Sequence, residues 1–282
     1  MPILSLRHFL QLLRQERELH TIEVEVDPYL EAAEIHRRVI EQGGPALLFA
    51  RVKGSSYPVV TNLFGTAKRI NLAFGPQPLR LVKQAVHFAE TFLPPRFSKV
   101  WDNRSLALEA LKLGTRTVRQ GPVTEAFEEP ADLNRLPVLT TWEQDGGPFI
   151  TLPLVYTEHP KDKRHNLGMY RLQLYDASTT GMHWQIGKGG GFHYYVAEQL
   201  DEALPVSAFL GGPPALILAA IAPLPENIGE LMVASLLAGE RIPMIRDSRS
   251  PHPMPAEAEF VLQGFVGPHQ RRPEGPFGDH YG

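Results

Sequence analysis

Three consecutive glycines, Gly189-Gly190-Gly191, constrain this chain more than any other feature. They follow two strand-like runs and open an aromatic, apolar run that reads as a helix through Gln199. Upstream, Leu167, Met169, Leu172, Leu174 and Tyr175 give a partly alternating pattern, so Asn166–Asp176 is expected as one strand. Asp176-Ala-Ser-Thr-Thr-Gly181 has turn chemistry, and Met182–Ile186 is expected as the returning strand. A helix that starts on glycine leaves backbone N–H groups free to hold an anion, and Lys188 adds positive charge there. On spacing alone, an anion site and a plain glycine-rich turn both stay open.

The 282 residues suffice for two cores, at roughly 100–200 residues per domain. A hydrophobic share of 43% with 21% charged residues argues against disorder. A formal net charge of -3 gives no global attraction for nucleic acid, so none is expected as a partner. The absence of Cys excludes disulfides, thiolate zinc sites and a cysteine nucleophile, and fits a cytoplasmic location. Charge interrupts the apolar start Met1-Pro-Ile-Leu-Ser-Leu-Arg-His, so no secretory signal is expected. Leu204–Pro225 is uncharged and about long enough to span a bilayer. Pro205, Pro213, Pro214, Pro223, Pro225 and Gly211-Gly212 break it, so it is expected as a buried strand, a turn and a short core helix, with no transmembrane segment.

From the start, Ser5 can cap a helix in which Leu6, Phe9, Leu10 and Leu13 share a face. Thr21–Val26 alternates as a strand, Tyr29–Gln42 is an amphipathic helix closed by Gly43-Gly44, and Ala46–Ala50 and Val59–Asn62 are strands. Helices are expected over Ala67–Phe74, Leu79–Phe92 and Ser105–Leu113. This alternation predicts a small N-terminal α/β domain over residues 1–114, and the patternless Thr115–Glu129 stretch opens a second domain over 115–282. There, Phe149–Thr157 is expected as a strand and Lys161–Arg164 as a hairpin tip. Asn227 is expected to cap a helix ending near Leu237, with Gly239 past its end. Arg241–Arg246 and Glu259–Val266 are further strands, and the chain beyond His269 is loop.

Few residues suggest chemistry on their own. Arg171 and Asn166, five positions apart, point to opposite sides of an ideal strand; a bulge at Gly168 would bring them together, but spacing alone favours a surface strand with alternating polar ends. His183 and Trp184 are ambiguous, an isolated His in a strand being more often structural than catalytic, and His193 falls on the glycine-led helix. Glu274-Gly-Pro-Phe-Gly-Asp279 puts two carboxylates in a loop shaped by Gly and Pro. One could pair with an Arg while the other, more desolvated, is held protonated as a general acid, although solvated turn charges fit as well. The 11 His form no zinc-binding spacing.

Several separated stretches, in order, resemble the UbiD family of prenylated-flavin-dependent decarboxylases. They are Asp145-Gly-Gly-Pro-Phe-Ile-Thr-Leu-Pro, Asn166-Leu-Gly-Met-Tyr-Arg171, Gly181-Met-His-Trp-Gln-Ile, Lys188-Gly-Gly, Glu259-Phe-Val-Leu-Gln-Gly and Glu274-Gly-Pro-Phe-Gly-Asp279. Thr179-Thr-Gly-Met-His-Trp-Gln-Ile and the Asp145 stretch look most like the menaquinone-pathway branch, which acts on a dihydroxynaphthoate. The resemblance implies an α/β (α+β) chain whose N-terminal domain precedes a split β-barrel that binds prenylated FMN. Met169, Tyr170, Arg171, His183, Trp184, Gln185, Lys188 and Gly189 would line the cofactor site. Arg171, Glu274 and Asp279 match the catalytic trio, in which Arg171 holds the leaving carboxylate, Glu274 orients it and Asp279 returns a proton. Asn166 matches a ligand of the Mg or Mn ion that bridges the cofactor phosphate to the protein.

Two positions depart from the pattern. Gly187 stands where a metal-binding His is usual, and Pro243 aligns with the metal-binding Glu, with Glu240 a substitute if the loop shifts. Family members also continue into a C-terminal domain that supports oligomerisation and covers the site, and this chain is expected to lack it. The implied partners are a small aromatic carboxylic acid, a flavin prenyltransferase that supplies the cofactor, and either further copies of the chain or a complementary subunit. A subunit that binds flavin or a partner chain without turnover is a second reading, and a flavin-binding split-barrel reductase a third. Retention of Arg171, Glu274 and Asp279 favours the decarboxylase.

Overall fold

The computed structural model describes residues 2–76, 78, 113–184, 187, 189–224 and 228–278. The helices expected over Leu79–Phe92 and Ser105–Leu113 lie outside these residues, apart from Leu113 itself, which is irregular.

The N-terminal part places helices on both faces of a three-stranded sheet. Helix α1 (Leu6–Gln15) starts where Ser5 accepts the His8 N–H at 3.1 Å, the cap expected from sequence. Strand β1 (Leu19–Val26) runs parallel to β2 (Ala46–Val52), and β3 (Val59–Thr61) is antiparallel to β2. The parallel pair needs a crossover, which α2 (Glu31–Glu41) supplies. Helix α3 (Ala67–Phe74) begins at Thr66, whose hydroxyl accepts the Arg69 N–H at 3.3 Å. The α2 face packs on Val26, Leu47 and Phe49, whereas α1 and α3 pack around Phe9, Leu13, Ala46 and Leu63.

The remainder is built mostly on antiparallel strands, with one parallel pair. Strands β6 (Leu154–Glu158), β7 (His165–Met169), β10 (Leu204–Gly211) and β13 (Ala258–Val266) form a sheet in the order β13-β10-β6-β7. Strands β5 (Phe149–Ile150), β8 (Leu172–Leu174) and β9 (Thr180–Met182) form a second, ordered β5-β8-β9. A third joins β12 (Met254–Pro255), β11 (Ile242–Ile245) and β4 (Thr115–Thr117). Helix α4 (Gly189–Gln199) starts on the glycine triplet as expected, followed by α5 (Pro214–Ile221) and α6 (Glu230–Ala238). No helix among the described residues is long and apolar enough to cross a membrane.

Strands β6 and β10 are buried on both faces, which explains their nearly continuous apolar sequences. Leu154, Tyr156 and Phe209 join a core with Leu216, Leu231 and Met244, under α5, α6 and β11. Val155 and Ala208 point the other way, toward Tyr170, Leu172, Tyr194 and Ala197. Gly211 and Gly212, at φ 73° and 89°, turn the chain from β10 into α5 with backbone angles that side chains resist.

Four sequence expectations are corrected. Asn166–Asp176 is two strands, because the chain leaves β7 at Met169 and enters β8 at Leu172 in another sheet. Phe149–Thr157 divides likewise between β5 and β6. The returning strand ends at Met182, so His183 and Trp184 lie beyond it, and residues 185–186 are not described. The N-cap of α6 is Gly229; Asn227 lies outside the described residues. Alternation marks a strand but not its sheet, so a chain that changes sheets mid-run looks continuous.

Candidate functional site

Arg171 sits where the chain crosses from β7 to β8, and its guanidinium meets a carboxylate from the far end of the sequence. Its Nε donates to Glu274 Oε1 at 2.7 Å and its Nη2 to Oε2 at 3.0 Å, a two-point pairing that fixes both groups in one plane. His183, one residue past β9, places Nδ1 3.0 Å from the same Oε2. The Glu274 side chain is only 10% exposed, against 27% for Arg171 and 46% for His183. Burial pushes the Glu274 carboxyl upward, but hydrogen bonds and charge from Arg171, joined by His183, outweigh it and hold it below the usual carboxylate range. Phe277 lies beneath the Arg171 guanidinium, 4.8 Å from the ring centre, and meets Phe149 edge-on at 4.6 Å. A cleft of about 620 Å³ opens beside it, with Leu30, Arg37, Trp142 and Phe277 in its walls.

A second cluster forms at the head of α4. Tyr170, buried at the end of β7, accepts the Gly190 N–H at 3.0 Å and lies 3.4 Å from the Asn166 carboxamide nitrogen. A side chain at Gly189 would collide with the Asn166 carboxamide, and one at Gly190 would come within 2.7 Å of Trp184 and 3.0 Å of Tyr170. The glycines let helix and strand approach this closely. Gly187, at φ 81°, has open space where a Cβ would stand. Trp184 is half-buried between Tyr170 and Tyr194, with ring centres at 5.2 and 5.9 Å.

No bulge forms at Gly168: β7 pairs with β6 without a register break from His165 to Met169. Asn166 therefore faces the head of α4, and Arg171 faces Glu274. Met169 is half-buried against the core beneath α5 and α6. Gln185, Lys188 and Asp279 lie outside the described residues. Pro243 is buried inside β11, paired with Arg116 of β4, and Glu240 lies 3.9 Å from the same arginine.

A half-buried carboxylate beside β7 is one that sequence reasoning missed. Glu230, in the first turn of α6, lies beside β7, and, after burial, its charge raises the Tyr170 hydroxyl pKa. Burial pushes its carboxyl upward. A single Glu in a first helical turn is common, so only proximity to β7 sets it apart. Oxygen ligands for a divalent cation would come from Asn166 and Glu230. Among the described residues, no group of three or more His, Cys, Asp or Glu could hold a metal.

Comparison with known proteins gives the family. Residues 116–282 match the Rift-related domain of 3-octaprenyl-4-hydroxybenzoate carboxy-lyase (UbiD), and residues 10–88 match its N-terminal domain. An uncharacterized protein of Chlamydia caviae is 51% identical over 282 residues, covering 100% of this chain and 48% of its own length. A 4-hydroxybenzoate decarboxylase subunit of Chlamydia pneumoniae is 47% identical, covering 98% of this chain and 47% of its own length. The chain thus spans about half the length of the curated relatives it matches. Among solved structures, the UbiD-class enzyme HmfF from Pelotomaculum thermopropionicum, in complex with FMN, has a TM-score of 0.80 at 27% identity, over 98% of this chain and 58% of that one. The closed form of vanillic acid decarboxylase from Sedimentibacter hydroxybenzoicus gives 0.81 at 27% identity, over 98% and 57%. Matched over both its N-terminal and its Rift-related segments, the chain belongs to the UbiD family.

Proposed function

We propose that this chain binds prenylated FMN and carries the acid–base machinery of a non-oxidative decarboxylase of a hydroxy-aryl acid. The observation that carries this reading is the two-point Arg171–Glu274 pair, closed by His183 and floored by Phe277. Decarboxylation requires a substrate carboxylate held in one orientation, and a planar guanidinium whose own plane is fixed by a second carboxylate suits that task. Among the described residues, Nη1 of Arg171 makes no hydrogen bond and is free to face an incoming carboxylate. The aromatic acid enters from the cleft walled by Trp142 and Phe277.

The residues present fit the flavin. Gly187 and the glycine-led head of α4, apart from the Gly190 N–H that Tyr170 takes up, offer backbone, not side chains, to a phosphate, and Trp184 and His183 follow on from β9 beside them. When bound, prenylated FMN takes up the electron pair left on carbon as CO2 departs. Arg171 keeps the carboxylate in place, Glu274 keeps Arg171 flat, and Asp279 returns the proton to carbon. Asn166 and Glu230 are the oxygen donors that would hold a Mg or Mn ion.

The names of the relatives support a benzoate-type acid, and the Asp145 and Thr179 stretches favour a dihydroxynaphthoate in quinone biosynthesis. A complementary subunit is supported by the Chlamydia pneumoniae relative, itself named as a decarboxylase subunit, and by the two-letter designation of the vanillic acid enzyme, VdcCD. Gly187 and Pro243, standing where the family's metal ligands are expected, favour a second reading, a chain that binds flavin or a partner without turnover. Protein made alongside a flavin prenyltransferase separates them. The decarboxylase reading requires modified-flavin absorbance and CO2 release from 4-hydroxybenzoate or 1,4-dihydroxy-2-naphthoate. Retained flavin without CO2 selects the binding-only reading, and oxidation of a nicotinamide with plain FMN would point to a reductase.

A further inference from the structure

Arg171, Gln173 and Tyr175 alternate along and beside β8, so they project from one face of that strand while Leu172 and Leu174 pack into the core on the other. All three reach the same irregular segment. Arg171 pairs with Glu274, the Tyr175 hydroxyl donates to the Pro273 carbonyl at 2.6 Å, and Gln173 engages Gly275 between them.

Gln173 is 5% exposed, and both ends of its amide are used. Its Oε1 accepts the Gly275 N–H at 2.8 Å, and its Nε2 donates to the Gly146 carbonyl at 2.8 Å. Gly146 in turn donates its N–H to the Pro276 carbonyl at 2.8 Å. A side chain at Gly146 would strike the Gly275 carbonyl, so the two backbones are in direct contact. Asp145 holds the far side: its Oδ1 accepts the Gly278 N–H at 2.8 Å, and its Oδ2 accepts from the Thr141 N–H and hydroxyl and from the Trp142 N–H.

Residues 273–278 have no strand ladder or helix of their own to fix them. We propose that Gln173 is a positioning residue that sets the Glu274 carboxylate in the plane of Arg171, by clamping Gly275 to Gly146. This rests on the decarboxylase reading above and extends it. A buried amide that donates in one direction and accepts in the other fixes both position and roll, and an apolar residue of similar size would fix neither. Glu274 is the next residue to the clamped amide, so slack there passes directly into the Arg171 geometry. Misplacement of a catalytic group by about 1 Å can cost on the order of 100-fold in rate.

The test is Gln173→Leu, read by two measurements. In the holoenzyme, kcat for CO2 release falls by roughly 100-fold while KM changes far less, since the acid still meets Arg171. In the chain without cofactor, a carbon-13 titration of the Glu274 carboxyl moves up toward the ordinary value of about 4.3 as the Arg171 pairing loosens. Parental kcat together with an unmoved Glu274 titration would overturn the role. Should Gln173→Leu fail to fold, the near-isosteric Gln173→Glu keeps an acceptor for Gly275 and loses the donor to Gly146 at neutral pH. It is read by the same two measurements, and an unmoved Glu274 in that variant overturns the role as well. Absence of CO2 release from the parental holoenzyme would instead sink the decarboxylase reading, and the cofactor-free titration would still decide the clamp.

Discussion

Arg171 and Glu274 lie 103 positions apart in sequence, yet they meet edge to edge at 2.7 and 3.0 Å, with His183 on the outer oxygen. The carboxylate is more buried than the guanidinium that neutralises it. Removing the cation therefore leaves a largely dehydrated charge without a partner.

On the proposed function, Arg171→Ala should abolish CO2 release, because it removes the group assigned to hold the leaving carboxylate. It should also destabilise the fold by about 1–3 kcal/mol, at the low end because part of the Arg171 side chain stays in water. Urea denaturation beside the activity assay checks both, and normal turnover in the variant would remove Arg171 from the chemistry.

The pair also makes stability depend on acid. Glu274 titrates lower in the folded chain than its unfolded value of about 4.3. Its contribution is therefore complete above about pH 5 and disappears as pH falls through the folded-state value. The stability gap between the parent and Glu274→Gln should close over that acid range in denaturation experiments from about pH 7 to about pH 3. A gap that stays constant would mean the carboxylate is not held by Arg171.

His193 should act in a higher pH window. It is buried on α4 with Nδ1 2.9 Å from the Thr157 hydroxyl; burial first, and then the charge of His159, bring its pKa down to about 4. The unfolded chain takes up this proton near pH 6.5, whereas the folded chain resists until about pH 4. Stability should fall progressively between those values, with unfolding taking up close to one proton. His193→Gln should flatten that part of the profile.

Gly190→Ala tests the close approach at the head of α4. A methyl group there meets Trp184 at 2.7 Å and Tyr170 at 3.0 Å, neither of which can swing clear in a packed site. The expected cost is about 1–3 kcal/mol in denaturant unfolding, with weaker flavin retention. An unchanged midpoint would show that the indole and phenol rings relax freely.

Local signals carried much of the fold. The Ser5 cap, the Ala67–Phe74 helix and the glycine-led helix through Gln199 stand where the sequence predicts them, because each depends on neighbours in the chain. The breaks at Tyr170-Arg171 and at Thr151–Pro153 were not legible, since which sheet a strand joins is decided by residues far away. The candidate site shows the same division. Arg171 and Glu274 stood out through resemblance to a family and not through spacing. Glu230 and Gln173 carried no signal, because a first-turn glutamate or a strand glutamine acquires meaning only from its burial and partners.

Helix α4 has a further consequence. Its first turn abuts Asn166 and Tyr170, and near its last turn Glu198 grips Arg271 at 2.7 and 2.9 Å, three residues ahead of Glu274. Eleven residues of rigid rod thus tie the Asn166–Tyr170 cluster to the root of the segment that carries Glu274. One inserted residue would rotate one end about 100° against the other, so the length of this rod is not free to drift while both ends keep their tasks.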